Sequence, residues 1–279
     1  MSAIMKIHNH ILGRRAVLAL AFTAALGGCA SNPPEKYAAT DQNTDLSTSL
    51  HESANESRAR GDLSAAATLY RQSHATNPKR AEPLISLGQV LLASGDPKGS
   101  AEAYRKALII KIDSVEALRG LGNALVAIDQ PEMAIGHYDK AFALAPEDPK
   151  IYNGLGVARD LLGQHDEAQK LYRAGLEFKP DDRNLRTNLG LSLSFSENHD
   201  ESVEVLRELV NSPHATPHHR QNLALALGLA GRQKDAAKVA RMDLDNRDVR
   251  SNLAYYATLR ALSDSTQRVK AVHARYSGR

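Results

Sequence analysis

Histidines, one cysteine and a series of side-chain amides are the residues here whose types and spacing suggest chemistry. His214, His218 and His219 fall close together beside Pro213 and Pro217. Three imidazoles at such spacing are able to bind Zn²⁺ or Cu²⁺. No cysteine or close carboxylate completes a ligand set, however, and the run sits at a turn between two helical segments, so no metal is expected. The chain also lacks a Gly-rich phosphate loop, a nucleophile elbow and a zinc-protease motif. Neither catalysis nor a cofactor is therefore expected.

The single cysteine, Cys29, excludes an intrachain disulfide. Before it come Lys6, Arg14 and Arg15, then an apolar run from Ala16 to Leu26. A basic region followed by about 7–15 apolar residues reads as a secretory signal peptide, too short for a comfortable membrane span. Gly13 to Leu18 matches the twin-arginine export pattern only in part, so the basic residues read as an ordinary leader. Leu26-Gly27-Gly28-Cys29 resembles the bacterial lipobox. That resemblance implies that residues 1–28 are removed and that Cys29 is lipidated as the mature N-terminus. Ala30 stands where Asp would signal inner-membrane retention, which implies an outer-membrane lipoprotein facing the periplasm. Residues 29–46 contain Pro33-Pro34 and no apolar period, and they are expected to form a flexible tether.

The formal charge of +3 comes from 35 basic and 32 acidic residues. Lys6, Arg14 and Arg15 account for the whole excess, so the rest is balanced and offers no footprint for nucleic acid. Aromatic content is only 5%, without Trp, which leaves alanine and leucine to form a core of closely packed helices.

Those helices are legible in Pro149 to Asp182, where apolar residues recur at three- and four-residue steps on either side of Gly163. The pattern repeats every 34 residues, in blocks 47–80, 81–114, 115–148, 149–182, 183–216 and 217–250. Leu-Gly pairs recur at Leu87-Gly88, Leu121-Gly122, Leu155-Gly156 and Leu189-Gly190. The turn between helices holds Gly61, Gly95, Asp129, Gly163, Glu197 and Gly231. A small residue follows at Ala66, Ser100, Ala134, Ala168, Ser202 and Ala236, and an aromatic one at Tyr70, Tyr104, Tyr138 and Tyr172. This phase resembles the tetratricopeptide repeat (TPR) family. The resemblance implies an all-α, right-handed superhelical solenoid of six helix-turn-helix repeats. Residues 251–279 are expected to supply a C-terminal capping helix and tail.

In TPR arrays the first helix of each repeat lines a concave groove that takes a protein or peptide. On that register, the candidate groove residues are Asn55, Gln89, Arg119, Asn123, Asn153, Val157, Asn188, Leu191, Asn222 and Leu225. The amides carry both donors and an acceptor, which suits an extended peptide backbone. The groove becomes more apolar towards its C-terminal end. The carboxylate clamp of chaperone-binding TPR proteins is not matched: Arg119 and Asn123 fit its first part, but Gly154, Asn184 and Asn188 replace its remaining residues.

Three segments are more particular. Ala215 to Arg232, Arg241 to Leu244 and Asn252 to Tyr256, together with Gly156 to Gly163, resemble the TadD family. These are TPR lipoproteins of the tight-adherence (Flp) pilus assembly machinery. The resemblance implies an adaptor that binds a machinery component, in the manner of a secretin pilotin. A general periplasmic chaperone or envelope-assembly scaffold is the alternative.

Overall fold

The last position of each 34-residue block starts the next repeat. Ser114, Asp148, Asp182 and Thr216 occupy that position, and each accepts a hydrogen bond from a backbone N–H two or three residues ahead. A short polar side chain there satisfies an amide that the first turn leaves without an intrahelical partner. The caps recur at the repeat period, so helix starts are set locally.

The computed structural model describes residues 36–277. The expected signal peptide, Cys29 and the first residues of the tether lie outside the described residues. Among the described residues there are fourteen α-helices. The repeats contain α1 (Lys36–Ala59) and α2 (Leu63–Thr76), α3 (Glu82–Ala93) and α4 (Pro97–Ile110), and α5 (Val115–Ala127) and α6 (Pro131–Leu144). They continue with α7 (Pro149–Leu161) and α8 (His165–Phe178), α9 (Arg183–Phe195) and α10 (His199–Asn211), and α11 (Pro217–Leu229) and α12 (Gln233–Ala240). Then come α13 (Asn246–Ala261) and α14 (Ser265–Ser277).

Two boundaries differ from expectation. First, α1 begins at Lys36, so residues 36–46 are helical where a tether through residue 46 was expected. Where this helix first meets α2, at Thr44 and Ser47, the contacts are hydroxyl and amide hydrogen bonds, which leave no apolar period in the sequence. Ser47 Oγ donates to Ser73 O at 2.8 Å, Ser73 Oγ donates back to Ser47 O at 2.7 Å, and Asn77 donates to Thr44 Oγ1 at 3.3 Å. Second, α12 is only eight residues long, so α13 starts inside the sixth block, and two helices rather than one follow the array.

The tile is held by one recurring packing arrangement. Tyr104, on α4, lies against Gly88 of its own repeat and Gly120 of the next; Tyr138, on α6, lies in the same way against Gly122 and Gly154. Both rings are buried. Where the small residue of the second helix is serine, it also bonds to the glycine of its partner helix. Ser100 Oγ donates to Gly88 O at 2.7 Å and Ser202 Oγ to Gly190 O at 2.6 Å. Successive first helices α3, α5, α7, α9 and α11 touch one another, and they form the inner wall of the superhelix.

The turns between paired helices need a left-handed backbone. Gly61, Gly95, Gly163 and Gly231 adopt it with φ between 74 and 82°. Asp129 and Glu197 adopt it as well, at φ 58° and 67°. A residue with a Cβ gives up roughly 1–2 kcal/mol in that conformation.

The end of the array departs from simple stacking. Helix α13 packs on α11 and α12 as a cap, whereas α14 turns back and touches α7 and α9, two helices of the inner wall.

Adding a methyl group where a ring is wedged tests the tile. A Cβ at Gly154 would lie 2.5 Å from the Tyr138 ring. Gly154→Ala is expected to reduce stability by about 1–3 kcal/mol through overpacking, read as a lower urea midpoint. An unchanged midpoint would show that the array does not depend on this contact.

Candidate functional site

Towards the C-terminal half of the inner wall, α7, α9, α11, α13 and α14 line an open cleft of about 980 Å³. Val157 and Leu161 line it from α7, Asn188, Leu191 and Phe195 from α9, and His218 and Asn222 from α11. Asn252, Val269, Val272 and His273 close it from the C-terminal helices. Amides and aliphatic groups alternate over this surface, which suits a ligand with both backbone hydrogen-bonding groups and apolar side chains.

The expected groove residues divide between this cleft and other duties. Val157, Asn188, Leu191 and Asn222 line the cleft. Asn153 adjoins it and accepts a 2.8 Å hydrogen bond from Asn188 Nδ2. The N-terminal amides are engaged within the array: Tyr70 OH donates to Asn55 Oδ1 at 2.6 Å, and Tyr138 OH donates to Asn123 Oδ1 at 2.7 Å. Gln89 accepts from Arg58 Nη1 at 2.9 Å, and Arg119 is ion-paired with Asp148, the cap of α7. Leu225 is fully buried in the core and does not reach the groove surface. The amide run is therefore not one continuous ladder. Asn55 and Asn123 sit where a first-helix side chain meets the hydroxyl of the second-helix tyrosine, and an amide there satisfies a buried O–H.

Sequence reasoning did not find the polar cluster beneath the cleft. Asp160 Oδ2 accepts from Tyr172 OH at 2.9 Å, and its Oδ1 accepts from Ser192 Oγ at 2.7 Å. His165 Nδ1 lies 2.8 Å from the same Oδ1. Burial pushes the Asp160 carboxyl above the usual carboxylate range, and the hydrogen bonds from His165, Ser192 and Tyr172 offset part of that rise. The residue types invite comparison with a catalytic triad, but the serine donates to the carboxylate and not to the imidazole. It thus lacks the base that would activate it. The cluster instead ties α7, α8 and α9 together. The available signal was a carboxylate at a position where the two preceding blocks carry Leu92 and Val126.

The histidine group resolves into a helix cap. His219 is the third residue of α11; its N–H donates to Thr216 Oγ1 at 3.3 Å, and its Nδ1 accepts from Thr216 N at 3.2 Å. These reciprocal bonds form a capping box with imidazole in place of the usual carboxylate or amide. Accepting at Nδ1 requires the neutral ring. Among the described residues, no group of three or more His, Cys, Asp or Glu side chains is arranged to hold a metal ion.

Burial lowers the His219 pKa, and Arg183, His218 and Arg220 lower it further. A histidine whose folded pKa is depressed contributes stability above its unfolded pKa of about 6.5 and loses it as pH falls through the folded value. His219→Gln keeps an acceptor for the cap but does not titrate. Its melting temperature is therefore expected to gain on the wild type as pH is lowered from about 7.5 to about 5. Parallel pH curves for the two proteins would refute the capping role.

Asn123→Ala leaves the buried Tyr138 hydroxyl without its acceptor. A loss of about 1–3 kcal/mol in unfolding free energy is expected, and an unchanged chemical-denaturation curve would show that the bond contributes little.

Residues 52–115 and 125–189 each match a family model described as tetratricopeptide repeat. No curated protein matches the chain. Among solved structures, a tetratricopeptide repeat protein from Parabacteroides merdae is similar with a TM-score of 0.63 at 16% identity, over 84% of this chain and 93% of that one. PilF of Pseudomonas aeruginosa gives 0.57 at 17% identity, over 84% and 99%. MamA gives 0.51 at 26% identity, over 60% and 91%. At these identities, the first two establish the fold alone. The all-helical repeats, their inner wall and the two family matches support a tetratricopeptide-repeat solenoid, a scaffold suited to contacting other proteins.

Proposed function

We propose that this protein is a non-catalytic adaptor anchored in the outer membrane by a lipid on Cys29. In this reading it holds a component of the Tad/Flp pilus machinery, the secretin foremost, in its concave groove. The observation that carries the proposal is the cleft of repeats four to six, where Asn188 and Asn222 stand among Val157, Leu191 and Phe195. Protein recognition on a TPR scaffold needs such a surface: amides for the partner's backbone and aliphatic groups for its side chains.

All four segments that resemble the TadD family supply parts of this cleft, Gly156 to Gly163 through Val157 and Leu161 and Arg241 to Leu244 through Leu244. Ala215 to Arg232 contains α11, which contributes His218 and Asn222, and Asn252 to Tyr256 contributes Asn252. The lipobox-like Leu26-Gly27-Gly28-Cys29 supports the membrane anchor, because two or three acyl chains hold a protein stably at a bilayer. Genes for a prepilin, a pilus ATPase and a secretin beside this one would be consistent with the pilus assignment.

Cys29→Ala is expected to move the protein from the outer-membrane fraction to the soluble periplasm; unchanged fractionation refutes the anchor. In intact cells, Asn188→Ala combined with Asn222→Ala is expected to lower crosslinked capture of the secretin about tenfold, the loss produced by removing one good contact. Undiminished capture would place the partner elsewhere on the molecule. Capture of many unrelated envelope proteins would instead favour a general chaperone.

A further inference from the structure

Two features of the fold meet at α14. The first concerns the turns between paired helices. Repeats three and five are the ones that replace glycine at φ > 0, and both replacements are acids, Asp129 and Glu197. Non-glycine residues held in a left-handed conformation call for a reason beyond the turn itself.

The second concerns the C-terminal helix. Among residues 265–277 there is no Asp or Glu, while Arg268, Lys270 and Arg275 are basic. Val269 and Val272, one helical turn apart, are buried in the main core and line the cleft. Arg268 Nη1 and Nη2 both donate to Glu197 Oε1 at 3.1 Å, and Lys270 Nζ lies 3.7 Å from Asp129 Oδ1. The intervening turn is Gly163, where a Cβ would lie 2.5 Å from Thr266 Oγ1. The two acidic turns thus carry the partners of α14, and the glycine turn between them leaves room for the Thr266 side chain.

We propose that the turns of repeats three to five and the adjoining apolar surface of α7 and α9 form a receptor for a basic amphipathic helix, and that α14 of the same chain occupies it at rest, forming one wall of the cleft. The receptor reads two features. An aliphatic pair three positions apart packs against α7 and α9, and the basic side chains that flank it on either side pair with Glu197 and Asp129. A partner helix of the same pattern competes with α14 for the site. This deepens the adaptor reading, because it gives the chemical class of the ligand and a device that keeps the wall of the cleft on α7 and α9 covered until that ligand arrives. The affinity of an outside ligand is then reduced by the fraction of molecules in which α14 is docked.

The experiment uses the full chain and, as probe, a fluorescein-labelled peptide of residues 263–279. Arg268→Glu with Lys270→Glu weakens the resident helix but leaves the acidic turns intact. This variant is expected to bind the peptide at least about tenfold more tightly than the wild type. Adding Asp129→Gly and Glu197→Gly, which restores the usual turn residue and therefore keeps the turns foldable, is expected to abolish that gain. Hydrogen exchange supplies the second readout: residues 265–277 lose protection in the first variant while residues 149–195 keep theirs. Equal peptide binding by wild type and variant, no binding to the variant, or a gain that survives removal of the acids overturns the proposal. A wild-type dimer at micromolar concentration that dissociates in the first variant would assign α14 to a second copy and overturn the intramolecular arrangement. The assay contains no pilus component and no membrane, so it fails or succeeds separately from the pilus reading.

Discussion

Everything in this array depends on how closely the second-helix tyrosine can approach two first helices at once. Tyr104 and Tyr138 each lie between the glycine of their own repeat and the glycine of the next. A ring in that position makes the intrarepeat and inter-repeat contacts together, so one residue sets both the angle within a hairpin and the stacking between hairpins. Later repeats keep the geometry with other groups. Leu206 lies against Gly190 and Tyr256 against Gly228, which explains how stacking continues after the tyrosine signal fades. Such nearest-neighbour packing gives a continuous scaffold without long-range design.

The scaffold also claims residues that look functional. Buried tyrosine hydroxyls need acceptors, and Asn55, Asn123 and Asp160 provide them. Each of these polar side chains stands on a first helix, where a ligand contact would also be expected. The cost of an unsatisfied buried hydroxyl is comparable to that of losing a binding contact, so the fold has first use of these groups. What remains for a partner is the surface that packing does not consume, concentrated around Asn188, Leu191 and Asn222.

The turns reveal a different division of labour. Glycine is the least strained residue at φ > 0, and four repeats use it. Asp129 and Glu197 accept strain and place charges on the rim instead, where they face Lys270 and Arg268. Helix α14 is consequently held by a mixture of contacts, its two buried valines joining the core of the array while Arg268, Lys270 and Arg275 add polar contacts. Ion pairs on a partly exposed rim are weak individually, which suits a helix that must be able to leave.

The sequence alone determined the repeat, its period, the helical class and the turn positions, because these follow from local rules: caps at Ser114, Asp148, Asp182 and Thr216, left-handed turns, and apolar residues at helical spacing. It also marked the amides and the three histidines as polar groups needing an explanation. Tertiary structure decided which amides serve the core and which serve the cleft, since that depends on tyrosines about fifteen residues away in the chain. It also decided that His219 caps α11, that α1 starts as early as Lys36, and that Leu225 faces inward. The position of α14 was the least legible of all. Its partners lie 71 residues away for Arg268 and farther still for Lys270, and no periodicity links a C-terminal helix to the rim of repeats three and five. Local spacing specifies a tile; only closure of the superhelix brings its last helix back to the inner wall.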